Sequence, residues 1–262
     1  MAPTQHFPGS RSLIWGYTLL VLAFLYVPLI PPVLFSLAGT GGSGGLTLRW
    51  YKEMWRNPIL SSSMITTLEI GLIVAVTATV LGLAAAMAIR ELRIPRLVLL
   101  LMLLPLFIPG VSMGLASAFF FRQLGIAPSL FTIAIVQVLW ALPFSALVVL
   151  TAMSTFDPIY LEAAYMSGAD RRRAFFDVEL PLIWPGISGA ALFSLILSFN
   201  ETIRTSIVQG PYNTVQTYIW STYKQVGLSP ILYALMSLLI ALTLVLVGAS
   251  LLAGARQARR AG

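Results

Sequence analysis

Two acidic side chains interrupt the apolar stretches of this sequence, and they are its first candidates for chemistry. They are Glu69 and Glu201. A carboxylate within an apolar segment of bilayer length is energetically costly, so each one requires a ligand or a partner. Carboxylates and aromatic faces both stabilise cations. We therefore expect Glu69, Asn200, Glu201 and Trp140 to be candidates for lining a path for a positively charged solute.

Each acid also has a simpler interpretation. Glu201 and Arg204 are three positions apart and can pair on one face of a helix. Glu69 can lie near the outer interface, where its charge is partly hydrated. The sequence leaves both alternatives open.

The remaining residues exclude several classes of protein. The chain has no Cys and a single His, His6, so a thiolate or histidine metal site is not expected. A membrane-embedded enzyme would need clustered His or paired acids, and neither is present. No glycine-lysine phosphate-binding motif occurs, so no cofactor is expected on this chain. The net charge of +7 is typical of cytoplasmic loops in membrane proteins, and nucleic-acid binding is not expected.

Composition indicates that helices crossing a membrane position these side chains. Hydrophobic residues make up 58% of the 262 residues and charged residues 10%, against about 25% charged in a soluble domain. A span needs about 20 mainly apolar residues. The predicted spans are residues 13–37, 62–89, 97–121, 128–152, 182–200 and 230–254. The sequence therefore predicts an all-α membrane protein, with one domain of six transmembrane helices over residues 1–262. Pro105, Pro109 and Gly110 should break the third helix, and the first run is too long for a signal peptide.

The basic residues set the expected orientation. With both termini in the cytoplasm, the inner segments hold Arg11, Arg90, Arg93, Arg96, Arg171, Arg172, Arg173, Arg256, Arg259 and Arg260. The outer segments then hold Arg49, Lys52, Arg56, Arg122, Arg204 and Lys224. Because basic residues concentrate on the cytoplasmic side, this excess predicts cytoplasmic termini.

The segment between the fourth and fifth predicted spans, residues 155–181, is rich in helix signals. Asp157 and Pro158 can begin a short helix, and Gly168 can end it in the left-handed conformation. Asp170 can cap a second short helix that Pro181 closes. We expect two short helices beneath the membrane, with an apolar patch suited to docking a partner. Folding of the segment back onto its own bundle is the alternative.

This segment resembles the EAA loop of permease subunits of ABC importers. The residues at the family's spacing are Glu162, Ala163, Ala164, Gly168, Leu180 and Pro181. Val178 replaces the usual Ile, which is a conservative departure. Four further stretches are similar to the spermidine/putrescine-type permeases. They are residues 46–51, 106–110, 198–201 and 227–230.

The resemblance implies a non-enzymatic permease subunit in a bacterial inner membrane. The implied partners are a second, related permease subunit, two ATPase subunits that bind ATP and Mg, an external substrate-binding protein and the surrounding lipid. Closure of the ATPase pair would move the docked loop and switch the bundle from inward-facing to outward-facing. The residues expected to couple to the ATPase are Glu162, Ala163, Ala164, Gly168, Arg171, Arg172, Leu180 and Pro181.

The resemblance favours a polyamine as the transported solute. Aminoalkylphosphonate, an opine-like compound and ferric ion stay open, because specificity in such systems rests largely with the binding protein. An ion-coupled secondary transporter is the alternative of a different class. It would need paired intramembrane charges or an inverted repeat, and neither is clear in the sequence.

Overall fold

The computed structural model of the protein describes residues 8–39, 45–92 and 95–261. Its first helices are α1 (Pro8–Tyr26), a 3-10 turn (Val27–Leu29), α2 (Ile30–Ser36), α3 (Arg49–Arg56) and α4 (Pro58–Glu91). They are followed by α5 (Pro95–Leu103), a 3-10 turn (Leu104–Phe107), α6 (Gly110–Gln123) and α7 (Leu130–Ser154). Next come α8 (Ile159–Met166), the single turn α9 (Arg171–Arg173), a π-helical stretch (Ala174–Glu179) and α10 (Leu180–Phe199). The last are α11 (Ile203–Val208), α12 (Val215–Val226) and α13 (Pro230–Ala261).

The all-α membrane fold predicted from composition is confirmed. Five helical stretches of the described residues are long and apolar enough to cross a membrane. A sixth arises if the bent pair Pro95–Phe107 and Gly110–Gln123 counts as one span. The two parts of that pair meet at 101°. The predicted break of the third span is therefore found, at Pro109, whose backbone is extended and whose missing N–H cannot continue the helical ladder.

The chain divides into two compact units, and the larger one comprises Pro58–Gln225 with Val245–Gly262. Helices α4, α7 and α10 pack around its two apolar clusters. A Cβ atom on Gly82 would lie 2.7 Å from Ser145 Oγ and 2.9 Å from the backbone nitrogen of Ala146. Small residues thus let α4 and α7 approach at backbone distance, as is common between membrane helices.

The smaller unit comprises the chain up to Asn57 together with Val226–Leu244. The Tyr51 hydroxyl lies 2.8 Å from Ser36 Oγ and 2.6 Å from Ser237 Oγ, so one phenol joins three helices. Trp50 is buried and donates to the Ala38 carbonyl at 2.8 Å. Trp55 is exposed. The sequence also has a glycine-rich run over residues 39–45, a composition typical of a flexible tether. Residues 40–44 of this run lie outside the described residues.

Helix α10 agrees with the predicted fifth span, residues 182–200, to within two residues at each end, and the helical stretch that contains it begins earlier, at Arg171. Helix α10 and then α11 run beside α7 over most of its length. The contacts join Gly186 to Ala152, Phe193 to Phe144 and Val208 to Thr132. The predicted end at Asn200 lies one residue after α10, and the charges that follow it, Glu201 and Arg204, are buried and paired with each other.

The second short helix predicted beneath the membrane does not stand apart. From Arg171 to Phe199 the chain is one helical stretch of 29 residues, and Pro181 lies inside it. Because Pro181 has no N–H, the carbonyl four residues earlier loses its helical donor. The π-helical turns of Ala174–Glu179 precede this point. Such wide turns accommodate a local disruption of the helical ladder without ending the helix.

Candidate functional site

Helix α8 carries the Glu-Ala-Ala residues and is closed at both ends by local hydrogen bonds. The Asp157 carboxylate accepts from the Ile159 nitrogen at 3.0 Å, so the predicted start is confirmed, with the helix beginning one residue later. At the other end, Ala169 N donates to the Ala164 carbonyl at 3.0 Å and Gly168 N to the Tyr165 carbonyl at 2.9 Å. Gly168 has φ +86°. These two bonds and this φ form a Schellman motif, which fixes where α8 ends.

The outer surface of α8 is apolar and exposed. Its exposed large side chains are Ile159, Tyr160, Tyr165 and Met166, with Met166 89% exposed. Glu162 and Ala163 are exposed and Ala164 is half-buried. Within the part of the chain that the structure describes, no ion pair involves Glu162. An exposed apolar patch around an acid suits docking to another protein.

The inner side of the segment is attached to the end of α4 by charges. Glu179, which is 2% exposed, forms a two-point ion pair with Arg90, and one of its contacts measures 3.3 Å. Arg171 pairs with Glu91, the last residue of α4. The Arg171 side chain therefore reaches this chain's own α4, although the sequence suggested a contact with an ATPase.

The other predicted coupling residues occupy varied positions. Arg172 and Pro181 are exposed, and Leu180 is half-buried against the apolar cluster around Val149. Asp170 accepts from the Arg173 nitrogen at 2.8 Å, so its predicted capping role is confirmed. Sequence reasoning missed the pairing with α4. The sequence shows Arg and Glu residues both at the end of α4 and in the segment, but it does not show which of them pair.

A second cluster of polar residues is buried at the break between α10 and α11. Glu201 and Arg204 are 5% and 8% exposed, and Arg204 Nη1 donates to Glu201 Oε2 at 2.6 Å. The Arg204 backbone nitrogen donates to the other carboxylate oxygen at 2.9 Å. The pairing of these two residues is the alternative observed, although Glu201 precedes the first residue of α11 and does not lie on a helical face. The Arg204 side chain, counted among the outer segments in the sequence analysis, is buried against α6 and α7.

The Arg204 guanidinium is enclosed by residues of two other helices. Its carbon lies 3.9 Å from the centre of the Trp140 ring in α7, and its Nε lies 3.1 Å from Met113 Sδ in α6. A Cβ atom on Gly110 would approach the guanidinium carbon at 3.3 Å. The glycine at the start of α6 thus leaves the room that the cation occupies.

Hydrogen bonds from α7 hold the break in place. Gln137 Nε2 donates to Thr205 Oγ1 at 2.8 Å, while Gln137 Oε1 accepts from Ser198 Oγ. The Asn200 side chain donates back to the Ile196 carbonyl at 2.8 Å and is exposed. Trp140 and Glu201 therefore both contact Arg204 in this cluster, whereas the Asn200 side chain is exposed.

Glu69 lies apart from that cluster, on the exposed face of α4. No ion pair of Glu69 occurs among the described residues. Two residues further along α4, a Cβ atom on Gly71 would touch the Phe199 ring at 2.6 Å, so Glu69 is near the level of the break. In the same described part of the chain, no group of three His, Cys, Asp or Glu side chains could hold a metal ion.

Comparison with known proteins gives relatives over most of the chain. The spermidine/putrescine transport system permease protein PotC of Escherichia coli (strain K12) is 29% identical over 247 residues, covering 92% of this chain and 93% of PotC. The trehalose transport system permease protein SugB of Mycobacterium tuberculosis (strain CDC 1551 / Oshkosh) is 31% identical over 195 residues. That match covers 73% of this chain and 71% of SugB.

The fold is also that of solved transporters. A chain of a bacterial ABC transporter involved in the import of the acidic polysaccharide alginate superposes with a TM-score of 0.72 at 17% identity. The match covers 95% of this chain and 94% of that chain. Residues 78–260 match the family described as "Binding-protein-dependent transport system inner membrane component". This stretch contains the Glu-Ala-Ala segment and most of the bundle, and the chain belongs to that family of permease subunits.

Proposed function

We propose that this permease subunit conducts a polyamine of the spermidine or putrescine type. The observation that supports the proposal is the similarity to PotC over 92% of the chain. Trehalose is the second candidate, because the identity to SugB is 31% but extends over a smaller part, 73% of the chain. A polyamine carries several positive charges whereas trehalose carries none, so the two candidates require different groups along the path.

The complete importer would contain a second, related permease subunit, two ATPase subunits and an external binding protein. In our proposal α8 seats on an ATPase subunit through Glu162, Ala163 and its exposed apolar residues. ATP and Mg bind the ATPase pair, and this chain contributes no catalytic group. Lipid surrounds the apolar faces of the bundle.

The expected topology places both termini in the cytoplasm. Two ion pairs support this arrangement, because they join the end of α4 to the start of the helix that continues into α10. Those two ends must lie on one side of the membrane. It is the side on which Arg90, Arg96 and Arg171 to Arg173 lie, and basic residues favour the cytoplasm.

In the transport path, Glu69 is the acid that stays accessible to a cation. Glu201 is buried and its charge is compensated by Arg204, so it would attract a polyamine weakly. An uncompensated carboxylate on a span is costly against lipid. We therefore place the Glu69 face of α4 against a wet path or the second permease subunit. Of the four predicted path residues, Asn200 is the other one with an exposed side chain. Trp140 and Glu201 lie behind the surface of the path, where they contact Arg204.

Uptake by cells tests the substrate. The gene is deleted and restored on a plasmid, and accumulation of radiolabelled putrescine, spermidine and trehalose is compared between the two strains. We expect the plasmid to restore polyamine uptake and to leave trehalose uptake unchanged. Restored trehalose uptake with unchanged polyamine uptake would refute the polyamine assignment and favour the second candidate.

A further inference from the structure

We propose that α4 acts as a second lever, meaning a rigid helix that carries the motion of the segment of residues 155–181 into the bundle. A chain of four alternating charges attaches α4 to that segment. In order of contact the residues are Arg171, Glu91, Arg90 and Glu179. This four-charge chain makes α4 move together with α8 and α10 when the ATPase subunits close. The inference rests on the proposed docking of α8, and it adds the path by which that motion enters the bundle.

The contacts form a continuous series. Arg171 pairs with Glu91, Arg90 lies 3.8 Å from Glu91, and Arg90 pairs in turn with Glu179. Residues of opposite sign alternate, so every charge except the first and last has two attractive neighbours. Two members belong to α4 and two to the segment that continues into α10. The series therefore ties two helical elements that are about 80 to 90 positions apart in the sequence.

The two ends of the four-charge chain differ in exposure. Glu179 is buried, and an acid in that position is stable only with a partner, so Arg90 is required there. The side chains of Arg171 and Glu91 are 74% and 41% exposed. Exposed pairs contribute little to stability. The pair can therefore be broken with little effect on folding. A loss of transport in such a variant would then reflect the lost attachment of α4 and not a less stable protein.

Helix α8 shares a cleft with the four-charge chain. Beside Arg90, Glu91, Arg171 and Glu179, the cleft is lined by Met87 of α4, Leu161 and Tyr165 of α8, and Phe175. The element that carries Glu162 thus lies across this cleft from α4. A displacement of α8 by a docked partner would reach α4 through the charges that line this cleft.

Helix α4 is suited to carry that displacement across the bundle. It is continuous from Pro58 to Glu91, without internal proline. The other helices of the core are less continuous, since α7 and α10 contain Pro143 and Pro185 and α10 ends before the break at Asn200. Glu69 lies 22 residues before Glu91, or about 33 Å along the axis at 1.5 Å per residue. Motion at the four-charge chain would therefore reach the level of Glu69 without crossing a break.

Charge reversal in the complete importer tests the proposal. The variants are Arg171→Glu, Glu91→Arg and the double exchange, reconstituted in liposomes with the ATPase subunits, the binding protein and putrescine. We expect each single variant to insert in normal amounts and hydrolyse ATP, while putrescine moved per ATP falls at least fivefold. The double exchange restores the pair with its charges reversed but leaves an arginine beside Arg90, so it should recover part of the native ratio, at least twofold above either single variant. Arg173→Glu is the matched control, because it makes an equal charge change two positions away and Arg173 forms no ion pair with the residues that the structure describes. It should keep the native ratio.

A second measurement does not depend on the solute. Spin labels at Leu92 and Ser167 report the distance between the end of α4 and the end of α8. We expect this distance to be the same with and without ATP in the native assembly, and to change with ATP in Arg171→Glu. Native transport ratios in both single variants, or failure of the double exchange to recover, would overturn the inference.

The outcome also separates this inference from the docking proposal on which it rests. Glu162→Arg is prepared in the same assembly. If it alters neither binding of the ATPase subunits nor transport, the docking proposal is wrong. If Glu162→Arg uncouples hydrolysis from transport while the Arg171 and Glu91 variants behave as native, docking stands and only the second lever is wrong.

Discussion

The guanidinium carbon of Arg204 lies 3.9 Å from the centre of the Trp140 ring. The same guanidinium is paired with Glu201 at 2.6 Å, so a positive charge is kept inside the bundle by an acid on one side and an aromatic face on the other. A desolvated cation–π contact contributes about 2 kcal/mol. The two charges would each be costly alone in a membrane. Paired and packed in this way, they hold α6 and α7 against the break between α10 and α11.

Arg204→Met should destabilise the protein strongly. The change leaves Glu201 buried without its cation, and such a loss costs about 3–5 kcal/mol. Thermal unfolding of the purified subunit in detergent, followed by near-UV circular dichroism, measures the effect. The double variant Glu201→Gln with Arg204→Met removes both charges and should recover most of the stability. Equal losses in the single and the double variant would show that the ion pair is not what stabilises the break.

Glu69→Gln should weaken transport of a polyamine and leave stability unchanged. The side chain is exposed and makes no ion pair in the described part of the chain, so its removal breaks no internal contact. Loss of one attractive charge at a partly hydrated site corresponds to roughly 1 kcal/mol, or about a fivefold rise in KM for putrescine uptake.

The matched control for that change keeps the charge. Glu69→Asp shortens the side chain by one methylene and should retain most of the native uptake. If Glu69→Gln transports putrescine with a native KM, the carboxylate does not recognise the cation, and another group in the path must do so.

Features fixed by neighbouring residues were predictable from the sequence. The capping by Asp170 involves a nitrogen three positions away, and the left-handed turn at Gly168 depends on that glycine alone. The break at Pro109 likewise follows from a missing N–H. In each case the partner is within a few residues, so the sequence pattern contains both participants.

Features that depend on distant residues were not predictable. The burial of Arg204 depends on Trp140, more than 60 positions earlier, whose ring lies against the guanidinium. In the sequence alone, where that contact is not visible, Glu201 and Arg204 look like charged residues outside the bundle. The attachment of Arg171 to Glu91 likewise joins residues 80 positions apart. Periodicity and charge counts contain no information on which distant residue meets which.

Gly168→Ala should impair coupling more than insertion. At φ +86° an alanine pays about 1–2 kcal/mol of backbone strain, and since no atom lies within 4 Å of its Cβ, no clash adds to this cost. The end of α8 should therefore fray, and putrescine moved per ATP should fall severalfold in reconstituted importer. Gly189→Ala is the control, because that glycine is helical with open space around it. Equal transport by both variants would mean that the turn at Gly168 is not needed.

Gly82→Ala should destabilise the bundle by separating α4 from α7. The new methyl group would lie 2.7 Å from Ser145 Oγ and 2.9 Å from the Ala146 backbone nitrogen, and the backbone cannot yield without moving the helix. Overpacking of this kind costs about 1–3 kcal/mol. Denaturation in a mixed micelle measures the loss, with Gly189→Ala as the matched glycine replacement in open space. Ser145→Ala together with Gly82→Ala removes the hydroxyl contact but leaves the backbone contact, so it should restore only part of the stability. Full restoration would mean that the Ser145 side chain alone limits how closely α4 and α7 pack.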